Sequence, residues 1–242
     1  MNLVIDVGNT NTKIAVFKDN VIILKRVVQS FDIQKTIQEI SEVYLEIELV
    51  IISSVRNTDN KWLELVQKKY KVIVLDHQTP IPFKNCYSTP TTLGIDRIAL
   101  ISAAVAQFSN KNVLVIDAGT CITYDFKNEK EEYYGGAISP GIRLRYLGLN
   151  NYTAKLPLLD SKMPENITGR STDEAIHSGV VFGIVHEISG VIEEYCNIYS
   201  DLTVILTGGD ADFLSKRLKN GIFATSNFLL EGLNHILAFN NR

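Results

Sequence analysis

Two acidic turns of similar make-up carry the chemistry legible in this chain: Asp6-Val7-Gly8-Asn9-Thr10-Asn11-Thr12-Lys13 and Asp117-Ala118-Gly119-Thr120-Cys121-Ile122-Thr123-Tyr124. In each, an aspartate closes a short apolar run, a glycine follows two residues later, and hydroxyl or amide side chains come next. Glycine at that place permits a tight turn and close backbone approach to a ligand, while Asn9, Thr10 and Thr120 add neutral donors, a combination suited to phosphate. The aspartates would repel phosphate, so their expected work is to hold a cation, directly or through its water shell. One metal-nucleotide complex held between two similar halves satisfies both requirements.

Such turns need strands to hold them. The lead-ins Leu3-Val4-Ile5 and Val113-Leu114-Val115-Ile116 are short and β-branched, which predicts buried strands that end at the carboxylates. After the first turn the pattern predicts strands over 14–17 and 21–28 joined at Lys18-Asp19-Asn20, a helix over 33–44, a strand over 49–53, a helix over 57–70 and a strand over 72–75. Pro80, Pro82 and Pro90 make 78–90 a connection, and a helix is expected over 91–108. The second half repeats the order: strands over 113–117, 122–126 and 133–138, an inserted segment, a helix over 171–199, a strand over 204–206, a helix over 211–218, a short strand near Ile222 and a helix over 228–239. Both halves read βββαβαβα, with the junction near residue 110. The expected domains are therefore 1–110, with the first phosphate turn, and 111–242, with the second.

Composition narrows the function classes. A chain of 242 residues with 45% hydrophobic and 21% charged residues and a net charge of -3 is ordinary for a globular protein, and nothing electrostatic recruits nucleic acid or a membrane. Lys68-Lys69-Tyr70-Lys71 reads as a solvated helix end. Cys86, Cys121 and Cys196 form an odd set without CxxC or Cys/His spacing, which argues against disulfides and structural zinc and for a reducing, cytoplasmic location. The start of the chain has no leader pattern, and no apolar run near the roughly 18 residues of a membrane span is expected.

Duplicated βββαβαβα halves with a DxGT-type turn in each resemble the superfamily of acetate and sugar kinases, actin and heat-shock chaperone ATPases. That resemblance implies an α/β protein of two ribonuclease H-like halves in a two-domain actin-like ATPase fold. A closer resemblance is to the type III pantothenate kinases. It is carried by Asp6 to Lys13, Leu93-Gly94-Ile95-Asp96-Arg97, Asp117 to Thr123, Gly135-Gly136-Ala137-Ile138-Ser139-Pro140-Gly141, Thr153-Ala154-Lys155-Leu156-Pro157 and Leu206-Thr207-Gly208-Gly209-Asp210. The resemblance implies ATP-dependent phosphorylation of pantothenate to 4′-phosphopantothenate, the first step towards coenzyme A, with Mg2+ and a monovalent cation, K+ or NH4+, and a homodimer whose substrate pocket is completed by the partner.

Carried over by position, Asp6, Val7, Gly8, Asn9, Thr10, Asn11, Thr12 and Lys13 would form the first ATP-phosphate turn, and Thr120 an ATP contact in the second. Asp117 matches the family's monovalent-cation ligand, and Asp6 is the other candidate metal residue. Gly94, Ile95, Asp96 and Arg97 resemble the substrate segment, with Asp96 the base, and Tyr87 and Thr172 match further substrate contacts. Cys121 departs from the alanine common in the family's turn, leaving the acidic and hydroxyl groups in place.

The residues alone leave alternatives open. Asp6 could simply bond turn amides; Asp96 and Arg97 could be solvated charges in the first turns of a helix; Lys13 is either a phosphate contact or a solvated strand residue. Arg97 could pair with the substrate carboxylate or with a phosphate oxygen. Tyr87 alone would more often be packing, and Thr172 would be the first residue of a helix capped by Ser171 with Glu174 three positions on. Gly208-Gly209 could approach the adenosine end of a nucleotide or only end a strand. Gly179 and Gly183 would let another helix approach, within the molecule or across a dimer. His77, His177, His186 and His235 lack metal-ligand spacing. Another kinase of the superfamily, acting for example on a sugar, and a non-enzymatic regulatory accessory protein of the same family are the competing functions.

Overall fold

The computed structural model describes residues 1–8, 10–54, 61–218 and 221–241. Asn9 of the first turn and residues 57–60 of the expected second helix lie outside them. The chain groups into two compact units, Met1–Ser109 with Glu131–Tyr133 and Asn227–Arg242, and Asn110–Lys130 with Tyr134–Ser226. The break at Ser109/Asn110 falls beside the repeat junction, while the last helix groups with the first unit.

In the first unit β1 (Asn2–Val7), β2 (Thr12–Lys18) and β3 (Val21–Val28) form an antiparallel meander. Asp19 and Asn20, at φ 48° and 64°, make the tight β2–β3 connection, the left-handed pair that a two-residue hairpin requires. Next come α1 (Ile33–Val43), β4 (Leu49–Ser54), α2 (Lys61–Lys69), β5 (Lys71–Val74), the short β6 (Lys84–Asn85) and α3 (Ile95–Gln107). The sheet runs β3-β2-β1-β4-β5, with β4 parallel to β1 and β5 parallel to β4. Lys84 and Asn85 pair with Glu132 and Tyr133.

In the second unit β7 (Val113–Ala118), β8 (Cys121–Lys127), β9 (Glu132–Pro140), α4 (Ile142–Asn151), α5 (Thr172–Ile198), β10 (Thr203–Thr207), α6 (Ala211–Ser215) and β11 (Ile222–Ala224) follow. Their sheet order β9-β8-β7-β10-β11 repeats that of the first unit strand for strand, and β6 adds a sixth strand at the β9 edge. The chain closes with α7 (Phe228–Phe239), which packs on α3, β1 and β4. An added Cβ at Gly232 would lie 1.8 Å from the Ala99 carbonyl oxygen, so glycine sets the α3–α7 approach.

Strand alternation aims the acidic residues. Leu3, Ile5 and Val7 enter a core with Ile33, Ile37 and Ile40 of α1 and Trp62 and Val66 of α2. Asn2, Val4 and Asp6 therefore point to the opposite face, where the Asn2 side-chain amide donates to Asn234 Oδ1 of α7 at 2.8 Å. In the second unit Leu114, Ile116 and Ala118 pack with Ile176, Val180, Ile184 and Ile188 of α5, which leaves Val115 and Asp117 on the other face.

Three expectations are corrected. The helix expected from residue 91 begins at Ile95, because Pro90–Thr92 forms a 3-10 turn and Leu93 is extended and buried, which puts Asp96 in the first turn of α3. α4 was not expected: Ile142, Leu144 and Tyr146 alternate with Arg143 and Arg145 at a strand-like period of two, yet in the helix Ile142 and Tyr146 meet the core one turn apart. Finally, α5 is long and apolar enough to cross a membrane by length and composition. It meets that test as the helix covering the second sheet, with Ile176, Val180, Val181, Ile184, Val185 and Ile188 buried.

Candidate active site

In the first unit Asp6 is the last outward-facing residue of β1. Its cross-strand neighbours are Lys13 on β2 and Ser53 on β4. The turn beyond it closes with the Gly8 amide donating to the Asn11 carbonyl at 3.1 Å, and the Gln29 side-chain amide donates to Asn11 Oδ1 at 2.8 Å. Burial pushes the Asp6 carboxyl up to about 6; the Lys13 ammonium opposes the rise, the Asp96 carboxylate adds to it and the Ser53 hydroxyl opposes it. Asp6 and Asp96 thus act on each other electrostatically. The Asp6 carboxylate and the Ser53 hydroxyl beside it are hard oxygen groups that suit a hard cation such as a divalent metal.

Asp96 is held tightly by its own segment. Its Oδ1 accepts from the Arg97 amide at 2.9 Å, and an added Cβ at Gly94 would lie 2.4 Å from the same oxygen, so the carboxylate folds back over a position with no side chain. His77 Nε2 contacts the Leu93 carbonyl at 2.9 Å and anchors the approach to α3. Arg97 is 4% exposed, and its guanidinium carbon lies 5.7 Å from the centre of the Tyr87 ring. Tyr87 stacks on the fully buried Tyr133 at 6.2 Å, and its amide donates to Asn85 Oδ1 at 3.0 Å. Within this unit the structure joins Asp6, Lys13, Asp96, Gly94, Arg97 and Tyr87 into one neighbourhood.

The second turn differs in length. Four residues separate the paired Val7 and Thr12, but only three separate Ala118 and Ile122. Asp117 therefore faces Thr123 across the ladder where Asp6 faces Lys13, and Thr207 takes the place of Ser53. The Thr123 hydroxyl is buried with no hydrogen-bond partner among the described residues. This neutral oxygen surrounding suits a cation of lower charge density, and no ammonium takes the Lys13 position to compete with it.

Backbone packing sets the rest of that turn. The Gly119 amide donates to the Cys121 carbonyl at 2.9 Å, leaving Thr120 exposed. Gly141 donates to the Thr120 carbonyl at 3.0 Å and has no room for a Cβ, which would lie 2.0 Å from the Gly119 oxygen. Gly208, at φ 99°, would place a Cβ 2.3 Å from the Ala118 oxygen and 2.4 Å from Asp117 Oδ1. The Asp210 amide donates to the Ala118 carbonyl at 2.9 Å, and burial raises the Asp210 carboxyl above the ordinary carboxylate range. Gly208→Ala is expected to cost about 1–3 kcal/mol of stability from the left-handed backbone and the clash, and to weaken ATP binding; denaturant unfolding and a KM for ATP check both.

Thr172 opens α5 in the second unit, exposed beside Pro140, Leu144, Leu156 and Gly179 along an open apolar groove. The Ser171 cap holds, its hydroxyl accepting from the Glu174 amide at 3.3 Å. Among the described residues no group of three or more His, Cys, Asp or Glu could hold a metal by themselves. Sequence reasoning missed Ser53 and gave Thr207 and Asp210, in the Leu206 to Asp210 run, no role of their own. The signal was available: Ile51-Ile52-Ser53-Ser54 and Ile205-Leu206-Thr207-Gly208 each place a hydroxyl at the end of the parallel strand beside the acidic one.

Comparison with known proteins gives the family and the fold. The family model for type III pantothenate kinase matches residues 2–194. A type III pantothenate kinase from Christiangramia forsetii is 50% identical over 240 residues, covering 99% of this chain and 99% of its own. Among solved structures, a Campylobacter jejuni protein described as a Baf family transcriptional activator superposes with a TM-score of 0.63 at 22% identity, covering 99% of this chain and 98% of the other. A glucokinase from an Antarctic psychrotroph superposes with a TM-score of 0.54 at 14% identity, covering 98% of each. The fold is the actin-like ATPase fold, an α/β architecture of duplicated ribonuclease H-like halves, and the chain belongs to the type III pantothenate kinase family.

Proposed function

We propose that this chain transfers the γ-phosphoryl group of ATP to the primary hydroxyl of pantothenate, giving 4′-phosphopantothenate and ADP. The observation that carries the reading is a buried carboxylate, Asp6, at the end of β1 before a phosphate-type turn, with the carboxylate of Asp96, fixed at the start of α3, near enough to raise it. Phosphoryl transfer needs mainly positioned phosphates, charge stabilisation and one oriented hydroxyl.

Asp96 accepts the proton of the pantothenate hydroxyl as transfer proceeds. Arg97 receives the substrate carboxylate in this reading, supported by its place over the Tyr87 ring and by the planar fork with which a guanidinium binds a carboxylate. Gly8, Thr10, Asn11, Thr12 and Lys13 present the first turn to the phosphates, and Thr120 presents the second. Asp6, with Ser53, would hold Mg2+, and Asp117, with Thr123, a monovalent cation, K+ or NH4+. Bound there, these ions neutralise phosphate charge. Asn9 shares the first-turn role by sequence alone.

The chain acts as a homodimer in this reading, supported by the apolar groove along α4 and α5 that carries Leu144, Leu149, Gly179 and, at its end, Thr172. Thr172 joins the substrate set through that dimer. A reducing, cytoplasmic setting is supported by the free Cys86, Cys121 and Cys196. A coupled ADP-release assay with and without pantothenate, each with and without K+, tests the function. Turnover that requires pantothenate and rises with K+ is the expected result, whereas turnover indifferent to pantothenate redirects the reading to another acceptor.

A further inference from the structure

A polar network in the second unit joins β8 and the end of β9, which flank the Gly119-Thr120 turn, to α4 and α5. The Tyr124 hydroxyl donates to Glu187 Oε1 at 2.8 Å, and Arg145 Nη2 donates to Glu187 Oε2 and, at 3.0 Å, to Ser139 Oγ. Arg145 Nε donates to the Pro140 carbonyl at 2.9 Å. One guanidinium thus holds three acceptors from two elements, a use that suits the rigid fork of arginine and not a point charge. Burial pushes the Glu187 carboxyl up, but the hydrogen bonds from Arg145, Tyr124 and Ser139 and the Arg145 charge hold it below the usual carboxylate range.

One end of this network reaches the turn through Pro140-Gly141, and the other lies further along β8. Tyr124 lies on β8, four residues after Thr120, and an added Cβ at Gly136 of β9 would fall 1.6 Å from the Tyr124 carbonyl oxygen, so glycine at 136 keeps the two neighbouring strands in register. Pro140 immediately precedes Gly141, whose amide holds the Thr120 carbonyl and which has no space to move inward. Displacing Ser139-Pro140 must therefore shift the turn. We infer that Arg145 and Glu187 are positioning residues for ATP: they fix Pro140-Gly141 so that the Gly119-Thr120 turn stands in its phosphate-contacting shape. This rests on reading Thr120 as an ATP contact.

The test uses the full chain and steady-state kinetics against each substrate. Arg145→Ala and Glu187→Ala are expected to raise KM for ATP roughly tenfold or more, because small displacements of a positioning group are costly, with KM for pantothenate changing by much less than KM for ATP and the folded fraction unchanged. Glu187→Gln, which keeps an acceptor oxygen, restores most of the loss, and the double alanine variant is no worse than the weaker single one. Thr120→Asp, which sets a negative charge against phosphate, is the reference. If Thr120→Asp raises KM for ATP and Arg145→Ala does not, or if Arg145→Ala lowers only Tm, the positioning role is overturned while the turn reading stands. If neither substitution moves KM for ATP, the turn reading fails and the inference goes with it.

Discussion

Asp96→Asn is expected to lower kcat by roughly 10²- to 10⁴-fold, about 3–5 kcal/mol of barrier, while KM for ATP changes by no more than about twofold. The geometry makes asparagine an informative choice. The Arg97 amide donates to Asp96 Oδ1, and the side chain lies over Gly94; an amide of the same shape keeps that hydrogen bond through its oxygen and fits the same space. What it loses is the ability to take a proton. Circular dichroism and a nucleotide-binding titration should match the unsubstituted chain, so the lost turnover reports proton acceptance and not folding. Near-normal kcat would remove Asp96 from the role of base and leave Arg97 and Tyr87 as substrate contacts only.

That experiment depends on a detail the sequence did not locate. Residues 91–108 carry helical spacing throughout, and only the structure shows that Pro90–Thr92 winds separately and that Gly94 caps α3 two residues before Asp96. The larger plan was legible because it rests on strong local signals: β-branched strands, turn residues such as Asp19-Asn20, and a repeated order of elements. What stayed hidden depends on partners distant in the chain. Ser53 and Thr207 matter only because β4 and β10 lie parallel beside the acidic strands, and a single run of residues does not encode its neighbours. Likewise the two turns look register-matched as written, with Tyr124 in the place of Lys13, until pairing shows that Thr123 stands there. The Arg145–Glu187 pair spans 42 positions, beyond any local pattern.

Asp6→Asn is expected to cut activity sharply and at the same time to stabilise the ligand-free protein. Loss of the cation-holding charge should lower kcat/KM by about 10²- to 10³-fold, the scale of removing one group that stabilises transferred charge. Stability moves the other way because the native environment disfavours the ionised carboxyl: its folded value is about 6, against 3.8 for the ordinary group, chiefly through burial. Between those values the folded chain binds more protons than the unfolded chain, so the stability contributed by protonated Asp6 is complete below about pH 4 and is lost as pH rises through 6. Two pKa units correspond to about 3 kcal/mol, an upper figure for a buried group. The variant should therefore melt higher than the unsubstituted chain at pH 8, by roughly 2–4 °C for each kcal/mol, and the difference should shrink to nothing by pH 4. Adding Mg2+ and ATP should reverse the order at pH 8, since bound cation repays the carboxylate and has nothing to grip in the amide. A variant that melts lower at pH 8 without ligand would show that Asp6 is a structural turn residue, and the cation site would have to be sought elsewhere in the fold.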